Sequence, residues 1–235
     1  MSRGGWPALL ALLLVVVAVG GFTVSYRHWR SGIDAQVAAA KDSPNRTLRM
    51  PRRPPVVLVI GDSYTDGSDM NTGPEWPDII AKKRGWLLYE DAVGGTGYVN
   101  NGQTVRFGAH ARIPHDLDVY APDAVIVAGG LNDRTYSPAA VARAARRDLA
   151  ELRAGFPHAD IVVFSPFSPG PPPADLRTLD AKLRGVARSL GLAYIDVTRD
   201  LPASLVGSDG THPTDQGHEH LAARIDAVLP RGLGR

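Results

Sequence analysis

The chain contains no cysteine among its 235 residues. This absence excludes disulfides, thiolate metal sites and cysteine nucleophiles, but a chain without cysteine can work in any compartment. A large excess of charge of one sign is also missing, since the formal net charge at pH 7 is only +2. At this length the sequence allows one domain of ordinary size plus an appendage.

The small net charge is unevenly distributed. Residues 1–54 carry eight Lys or Arg side chains and two Asp, whereas residues 55–235 carry 18 basic and 22 acidic side chains. The basic character therefore belongs to the N-terminal segment, and the larger part of the chain is mildly acidic. Because phosphate binding needs a basic face on the folded domain, the composition argues against a nucleic acid as substrate or partner.

An almost unbroken apolar run spans residues 7–24. About 17–18 apolar residues is near the lower limit for crossing a bilayer and long for the core of a signal peptide. We expect residues 1–30 to be an uncleaved signal anchor with a basic flank, inserted in the membrane through residues 7–24. Cleavage near Gly20 is the alternative, although an Ala-x-Ala site is absent. A buried core helix is disfavoured, because nothing nearby could cover it.

The flanks of this run give a mixed signal about orientation. The count of Lys and Arg alone slightly favours a cytoplasmic C-terminal flank, but the early position of the run fits a secretory signal. We therefore expect a membrane-anchored protein with an extracytoplasmic main domain, or a secreted protein if the run is cleaved. Residues 31–54, rich in Pro and Arg, have too little apolar surface to pack and are expected to tether a domain over residues 55–235.

Short apolar runs alternate with helical patterns after the tether, which is typical of a parallel α/β sheet. The predicted strands cover residues 56–60, 86–89, 124–128, 161–164 and 193–195. The predicted helices cover residues 77–84, 138–154, 176–190 and 216–229. These elements predict a flavodoxin-like three-layer α/β/α sandwich with a five-stranded parallel sheet, preceded by the N-terminal hydrophobic helix.

Four short motifs stand out, and they occur in this order: Gly61-Asp62-Ser63-Tyr64, Gly94-Gly95-Thr96-Gly97, Gly130-Leu131-Asn132-Asp133 and Asp209-Gly210-Thr211-His212. The first three follow the first three predicted strands, and the fourth precedes the last predicted helix. Ligands bind at the carboxyl ends of strands in open parallel sheets. The positions of the motifs therefore predict a single site.

The four motifs resemble those of the SGNH (GDSL-type) hydrolases, a family named after the Ser, Gly, Asn and His of these motifs. The resemblance covers roughly residues 55–229. It implies a serine esterase that acts on carboxylic esters, such as acylated sugars, lipids or simple acyl esters, without a cofactor or a metal. Two departures are visible: Tyr64 stands where many members have Leu, and the second motif carries several glycines instead of one.

The first and last motifs supply a candidate catalytic triad. Ser63 is the proposed nucleophile, and a serine hydroxyl needs a base to act near neutral pH. His212 is the proposed general base, and Asp209 would accept a hydrogen bond from its other ring nitrogen and fix the tautomer. The alternatives are that Asp62 and Ser63 cap a helix, that Asp209 does the same, and that His212 is an exposed loop residue.

The middle motifs supply candidate donors for an oxyanion hole. Asn132 offers a side-chain amide and Gly95 a backbone N–H, and the backbone N–H of Ser63 is the third donor. Alignment of the sequence Asp-Ala-Val-Gly-Gly with the family pattern favours Gly95 over its neighbours. Asn132 could instead be a turn residue. The glycines match neither a P-loop nor a complete dinucleotide-binding pattern, so nucleotide binding is disfavoured.

Other residues beside the motifs receive structural interpretations. Asp133 and Arg134 are expected to fix their loop, and pairing with each other is one way to do so. His218 and His220 are expected to be solvated, and a zinc site formed with His212 is a minor alternative, because the spacing matches no common catalytic signature. An irregular stretch predicted at residues 98–118 lies beside the site and is the better candidate for substrate selectivity. The proline-rich loop predicted at residues 166–173 either forms a wall of the substrate groove or is an inert connection.

Two other functions remain open at this point. An acyltransferase would pass the acyl group to a sugar or glycolipid hydroxyl instead of water, and only an acceptor pocket and the exclusion of water separate it from an esterase. A catalytically inactive polysaccharide-binding domain is less favoured. A protein that only binds has no need of all five residues Ser63, Gly95, Asn132, Asp209 and His212.

Overall fold

A single parallel sheet carries the fold. Its five strands are β1 (Val56–Gly61), β2 (Leu87–Ala92), β3 (Ala124–Ala128), β4 (Asp160–Phe164) and β5 (Ala193–Ile195). They lie in the order β2-β1-β3-β4-β5, and each strand runs parallel to its neighbours. β1 and β3 are interior strands, and their apolar sequences VVLVIG and AVIVA suit burial on both faces.

The computed structural model describes residues 53–102, 106–107, 112–197 and 201–235. Pro54–Arg235 form one compact unit. The predicted signal anchor, with its hydrophobic helix, and nearly all of the predicted tether lie outside the described residues.

None of the helices within the described ranges combines the length and the apolar character that a membrane crossing requires.

Helices cover both faces of the sheet. The described helices are α1 (Ser63–Asp66), α2 (Trp76–Arg84), α3 (Arg112–Val119), α4 (Pro138–Gly155), α5 (Ala174–Ser189) and α6 (Asp215–Val228). Alternate residues of β1 point to opposite faces, as a strand requires. Leu58 and Ile60 pack with α4 and α5, whereas Val57 and Val59 pack with α2 and α6. The parallel five-stranded sheet and its helical layers, predicted from the sequence, are confirmed.

The segment predicted to be irregular at residues 98–118 contains the start of α3, so the prediction was wrong for residues 112–118. Pro114 is the third residue of α3. A proline in the first turn costs no hydrogen bond there, because the first N–H groups of a helix have no partner within it. The start of α3 is held by tertiary hydrogen bonds of Arg112, which leave no periodic pattern in the sequence.

One buried charge departs from the apolar pattern of α4. The face of α4 against the sheet consists of Val141, Ala145, Leu149 and Leu152, as the sequence predicted, but it also includes Asp148. Asp148 is 1% exposed, and neither carboxylate oxygen has a hydrogen-bond partner among the described residues. Its Oδ1 lies 3.6 Å from Nε of Arg147, whose side chain is mostly exposed. Burial raises the pKa of Asp148 to about 7. An ionised carboxylate in this place therefore costs stability.

Asp148→Asn should stabilise the domain at pH 8. An Asp in the unfolded chain has a pKa of about 3.9, so the folded state binds the Asp148 proton more tightly than the unfolded chain does. The stability that this proton contributes is therefore fully present at low pH. It is lost as the pH rises through about 7. Asparagine cannot ionise, and we expect a gain of about 1–3 kcal/mol in the free energy of unfolding at pH 8.

Thermal unfolding at pH 5 and pH 8 measures this effect, and the gain should be larger at pH 8. Asp118→Asn serves as the matched control, because Asp118 is an exposed residue of α3, and its substitution should leave the unfolding temperature unchanged. Equal unfolding temperatures for the Asp148 variant and the wild type at pH 8 would contradict the burial argument.

Candidate active site

Three side chains from the two ends of the domain form a hydrogen-bonded chain. Ser63 Oγ lies 2.8 Å from His212 Nε2, and His212 Nδ1 lies 2.5 Å from Asp209 Oδ2. Ser63 is the first residue of α1, directly after β1, and His212 lies just before α6. The structure thus brings together all three residues that the sequence suggested as a triad.

A compact loop orients Asp209 and His212. Asp209 Oδ1 accepts the backbone N–H groups of Thr211 at 2.9 Å and of His212 at 3.0 Å. Gly210 allows the turn because its φ of +69° is in the left-handed region. The hydrogen bond from the His212 ring and the two backbone bonds lower the pKa of Asp209 to about 2. An ionised carboxylate only accepts, so Nδ1 carries a proton and Nε2 is free to accept from Ser63.

The turn after β1 positions Ser63. Asp62 Oδ1 accepts the backbone N–H of Tyr64 at 3.0 Å and caps the short helix α1. Asp62 therefore does cap a helix, as the alternative interpretation suggested. Ser63 lies in the site as well, so the two interpretations do not exclude each other. Asp62 is 1% exposed, and burial, with the neighbouring charge of Asp133, raises its pKa to about 7. The backbone N–H of Ser63 lies at the amino end of α1, where such groups lack partners within the helix.

Asn132 and the glycine turn that contains Gly94 and Gly95 lie beside this turn. A Cβ added to Gly94 would come within 3.7 Å of Ser63 Cβ, so the turn after β2 lies against Ser63. Asn132 Nδ2 donates to the carbonyl of Thr96 at 3.0 Å and lies 3.4 Å from Asp62 Oδ2. The amide therefore sits between the turn after β2 and the turn after β1.

Asp133 fixes the loop that borders Asn132. It is fully buried, and its two oxygens accept the backbone N–H groups of residues 98–100 at 2.8–2.9 Å. Burial raises the pKa of Asp133, and these three bonds oppose the rise. Gly97 is required for this close approach, because a Cβ there would lie 2.3 Å from Asp133 Oδ2. Asp133 therefore ties its own loop, which the sequence suggested it would fix, to the loop at residues 98–100.

Pairing between Asp133 and Arg134 was suggested as one way to fix the loop, and this suggestion was wrong. Arg134 Nε lies 3.3 Å from Asp175 Oδ2, and both side chains are about half exposed. The reason is that Asp133 points inward to backbone N–H groups, whereas Arg134 points outward to the start of α5.

Arg112 is a site-supporting residue that the sequence analysis missed. It is 5% exposed. Its guanidinium donates to the Asp91 carboxylate at 2.9 Å and 3.0 Å, to Thr96 Oγ1 at 2.9 Å and to the Gly61 carbonyl at 3.2 Å. These bonds join the ends of β1 and β2 to the turn that contains Gly95. A lone arginine in a segment without periodicity gives no sequence signal for such a role.

The prediction that His218 is solvated was wrong, and His220 is only partly exposed. His218 is fully buried because it lies on the inner face of α6, and its Nδ1 accepts the backbone N–H of Trp76 at 3.3 Å. Burial lowers its pKa. The zinc alternative needs His212 and His218 to share an ion, yet each has its own protein partner. Within the described ranges, no group of three or more His, Cys, Asp or Glu side chains is arranged to hold a metal.

The proline-rich stretch at residues 166–173 has two different sides. Phe167 is buried and stacks on Tyr64, with ring centroids 5.1 Å apart. At the other end, Pro171 and Pro172 border an open cavity of about 530 Å³, which is also lined by Arg177 and Leu201. This loop is therefore both a support for the residue after Ser63 and a wall of a surface cavity.

Comparison with known proteins assigns the chain to a family. It matches the model of the GDSL-like Lipase/Acylhydrolase family over residues 59–220. It is 32% identical to a GDSL lipase of Mycobacterium tuberculosis, in an alignment that covers 99% of each chain.

Solved structures with the same fold include two carbohydrate esterases. A family two carbohydrate esterase from Clostridium thermocellum, in complex with cellohexaose, matches with a TM-score of 0.61 and 20% identity. That match covers 77% of this chain but only 66% of that enzyme. Est24, a carbohydrate acetylesterase from Sinorhizobium meliloti, matches with a TM-score of 0.59 and 17% identity, over 74% of this chain and 97% of that enzyme.

The solved structures establish the shared fold, and the family model and the lipase relative go further. The model covers most of the chain, and the relative is similar over nearly the full length of both proteins. The chain belongs to the GDSL-like lipase/acylhydrolase family, and it is an ester hydrolase.

Proposed function

We propose that this protein is a serine esterase that cleaves carboxylic esters through an acyl-enzyme on Ser63. The observation that carries the proposal is the 2.8 Å contact between Ser63 Oγ and His212 Nε2. That contact is backed by the 2.5 Å bond between His212 Nδ1 and Asp209. A serine hydroxyl is activated when it is hydrogen-bonded to a base that is in turn hydrogen-bonded to a carboxylate, and these three groups have that order.

Acylation begins when Ser63 Oγ attacks the ester carbonyl carbon and His212 Nε2 takes the hydroxyl proton. The carbonyl π electrons move to the oxygen, which becomes an oxyanion. When the tetrahedral intermediate collapses, the bond to the leaving alkoxide breaks and His212 returns the proton to it. Asp209 stays ionised throughout, since its pKa is about 2, and it stabilises the imidazolium.

Three donors are proposed to bind the oxyanion: the backbone N–H groups of Ser63 and Gly95, and Asn132 Nδ2. The N–H of Gly95 makes no hydrogen bond to another described residue. Asn132 Nδ2 has two protons. One is held by the Thr96 carbonyl at 3.0 Å, whereas the other faces Asp62 Oδ2 at a long 3.4 Å. The weakly held second proton is the one proposed to turn to the oxyanion.

Deacylation repeats the same steps with water as the attacking group, and His212 again acts as base and then as acid. A sugar hydroxyl in place of water would make the enzyme an acyltransferase. The lipase relative and the carbohydrate esterases of the same fold suggest acylated sugars, lipids and simple acyl esters as substrates to test.

A panel of p-nitrophenyl esters of rising chain length, assayed with and without sugar acceptors, tests the proposal and selects among these substrates. Ester cleavage in water supports the esterase. Cleavage that occurs only with an acceptor, together with an acylated sugar as product, would replace it by the acyltransferase.

Ser63→Ala should abolish ester cleavage and leave the fold intact, because the variant lacks the atom that forms the acyl-enzyme. We expect kcat to fall on the order of 10⁴-fold or more. The wild type, and not the variant, should be labelled by a fluorophosphonate probe, with circular dichroism to check the fold.

Ser189→Ala is the matched control. Ser189 is exposed at the end of α5, where its hydroxyl donates to the Val186 carbonyl at 2.7 Å, and its loss should leave kcat unchanged. Near-wild-type turnover by Ser63→Ala, in a preparation free of other esterases, would refute the assignment of the nucleophile.

Asp209→Asn should lower kcat by about 10³–10⁴-fold at pH 7 with little change in KM, because an amide no longer fixes the Nδ1–H tautomer of His212. Asp215→Asn is the control. Asp215 is also exposed and accepts two backbone N–H groups, those of Thr72 and Gly73, both at 2.8 Å. The Asp215→Asn variant should keep the wild-type kcat. An equal loss of kcat in both variants would show that Asp209 acts only through its hydrogen bonds to the local backbone.

We also propose that residues 1–54 anchor the protein to a membrane, with an extracytoplasmic hydrolase domain. The support is the apolar run at residues 7–24 followed by the Pro- and Arg-rich segment. Cleavage of the run would instead give a secreted enzyme.

Deletion of residues 1–50 should give a soluble esterase with the wild-type kcat, because all four motifs and β1 remain. Membrane fractionation and an ester assay measure this outcome. A folded but inactive truncation would show that the N-terminal segment completes the site. Full-length protein in the medium, with a new N-terminus near Gly21, would show that the run is cleaved.

A further inference from the structure

The side chain directly after Ser63 reaches the loop that carries His212. Tyr64 is 1% exposed, and its hydroxyl donates to the backbone carbonyl of Thr211 at 2.6 Å. Its ring stacks on Phe167 with an interplanar angle of 5°. The imidazole of His212 is a second ring neighbour, with its centroid 6.1 Å from that of Tyr64. Tyr64 therefore fills the space between a buried aromatic ring and the His212 loop.

The loop at residues 207–212 is held mainly by its own backbone. The Gly207 N–H donates to the His212 carbonyl at 2.8 Å, and the Gly210 N–H donates to the Gly207 carbonyl at 3.0 Å. An isolated bridge between Val206 and Pro213 closes its base. These bonds give the loop its shape but do not fix it against the turn that carries Ser63.

Within the described part of the chain, three side-chain hydrogen bonds join this loop to the rest of the domain. Two come from neighbouring residues: Ser63 Oγ bonds to His212 at 2.8 Å and Tyr64 to Thr211 at 2.6 Å. The third is the contact of Ser208 Oγ with Met70 Sδ at 3.6 Å, which is weaker because sulfur is a poor acceptor. The Ser63 bond is broken whenever the serine attacks, so it cannot hold the loop through the reaction.

The Tyr64 bond can persist through the reaction. Its acceptor is a peptide carbonyl that takes no part in the chemistry. Burial, with the negative charges of Asp62 and Asp209, raises the pKa of Tyr64, so the phenol keeps its proton and remains a donor.

We propose that Tyr64 is a positioning residue, which holds the loop of residues 207–212 through the Thr211 carbonyl and so keeps His212 Nε2 within reach of Ser63. The inference rests on the proposed roles of Ser63 and His212. A leucine at this position could fill the apolar space against Phe167 but could not donate this hydrogen bond. This chain therefore has a link between nucleophile and base that a leucine cannot provide.

Tyr64→Phe keeps the ring and removes only the hydroxyl. We expect kcat on a p-nitrophenyl ester to fall about three- to tenfold, as for the loss of one neutral hydrogen bond, with KM unchanged. Tyr64→Leu should lower kcat at least as much. The matched control is Tyr194→Phe, because the Tyr194 hydroxyl donates to Asp180 Oδ1 at the same 2.6 Å but lies on β5, three strands from β1.

Two further measurements separate positioning from a general loss of stability. In a His212→Ala background no imidazole remains to be positioned, so adding Tyr64→Phe should not lower the residual rate. Amide hydrogen exchange by mass spectrometry should show faster exchange at residues 207–212 in Tyr64→Phe and unchanged exchange there in Tyr194→Phe. Unchanged kcat in Tyr64→Phe, or an equal loss with and without His212, would overturn the proposal.

Ser63→Ala and His212→Ala, assayed in parallel, distinguish this proposal from the proposed function. If either retains the wild-type rate, the assignment of nucleophile and base fails, and hydrogen exchange still shows whether Tyr64 holds the loop. If both lose activity while Tyr64→Phe keeps the wild-type kcat and the wild-type exchange, only the role of Tyr64 fails.

Discussion

The whole arrangement depends on β1 being buried on both faces and hydrogen-bonded along both edges. Residues Val57 to Ile60 are at most 1% exposed, and Gly61 pairs with Ala92 of β2 and with Ala128 of β3. The three strands therefore end at the same level of the sheet. The turns that follow them carry Ser63, Gly95 and Asn132. The register of the sheet, more than any local preference of these turns, brings the three together.

Polar groups just beyond the strand ends fix the positions of these turns relative to one another. Asp133 holds the backbone of residues 98–100, and Arg112 joins the ends of β1 and β2. Such buried groups are costly, as the raised pKa of about 7 for Asp62 indicates, and hydrogen bonds to the backbone offset part of the cost. The domain therefore gives up some stability for a rigid site, as enzymes commonly do.

The parts of the molecule that the sequence predicted well are those governed by periodicity and by short motifs. β3 and β5 were predicted to the residue, and the triad residues lie together, because apolar runs and the motif order carry that information directly. Two of the wrong predictions concern α3 and His218. Both depend on contacts between residues far apart in the chain, with Arg112 at the start of α3 and Trp76 against His218. A single sequence gives no signal for a partner that lies on another element.

The bond between Ser63 and His212 joins residues separated by 149 positions. The proposed nucleophile follows the first strand of the sheet, and the proposed base precedes the last described helix. During synthesis the ribosome therefore releases the base only when the rest of the sheet has been made. An unfinished chain contains Ser63 but lacks the proposed base, so, if the two residues act as proposed, hydrolysis can begin only after His212 has been made and placed beside Ser63. Activity is in this sense a property of the completed domain, and an ester assay on this protein also reports that folding has finished.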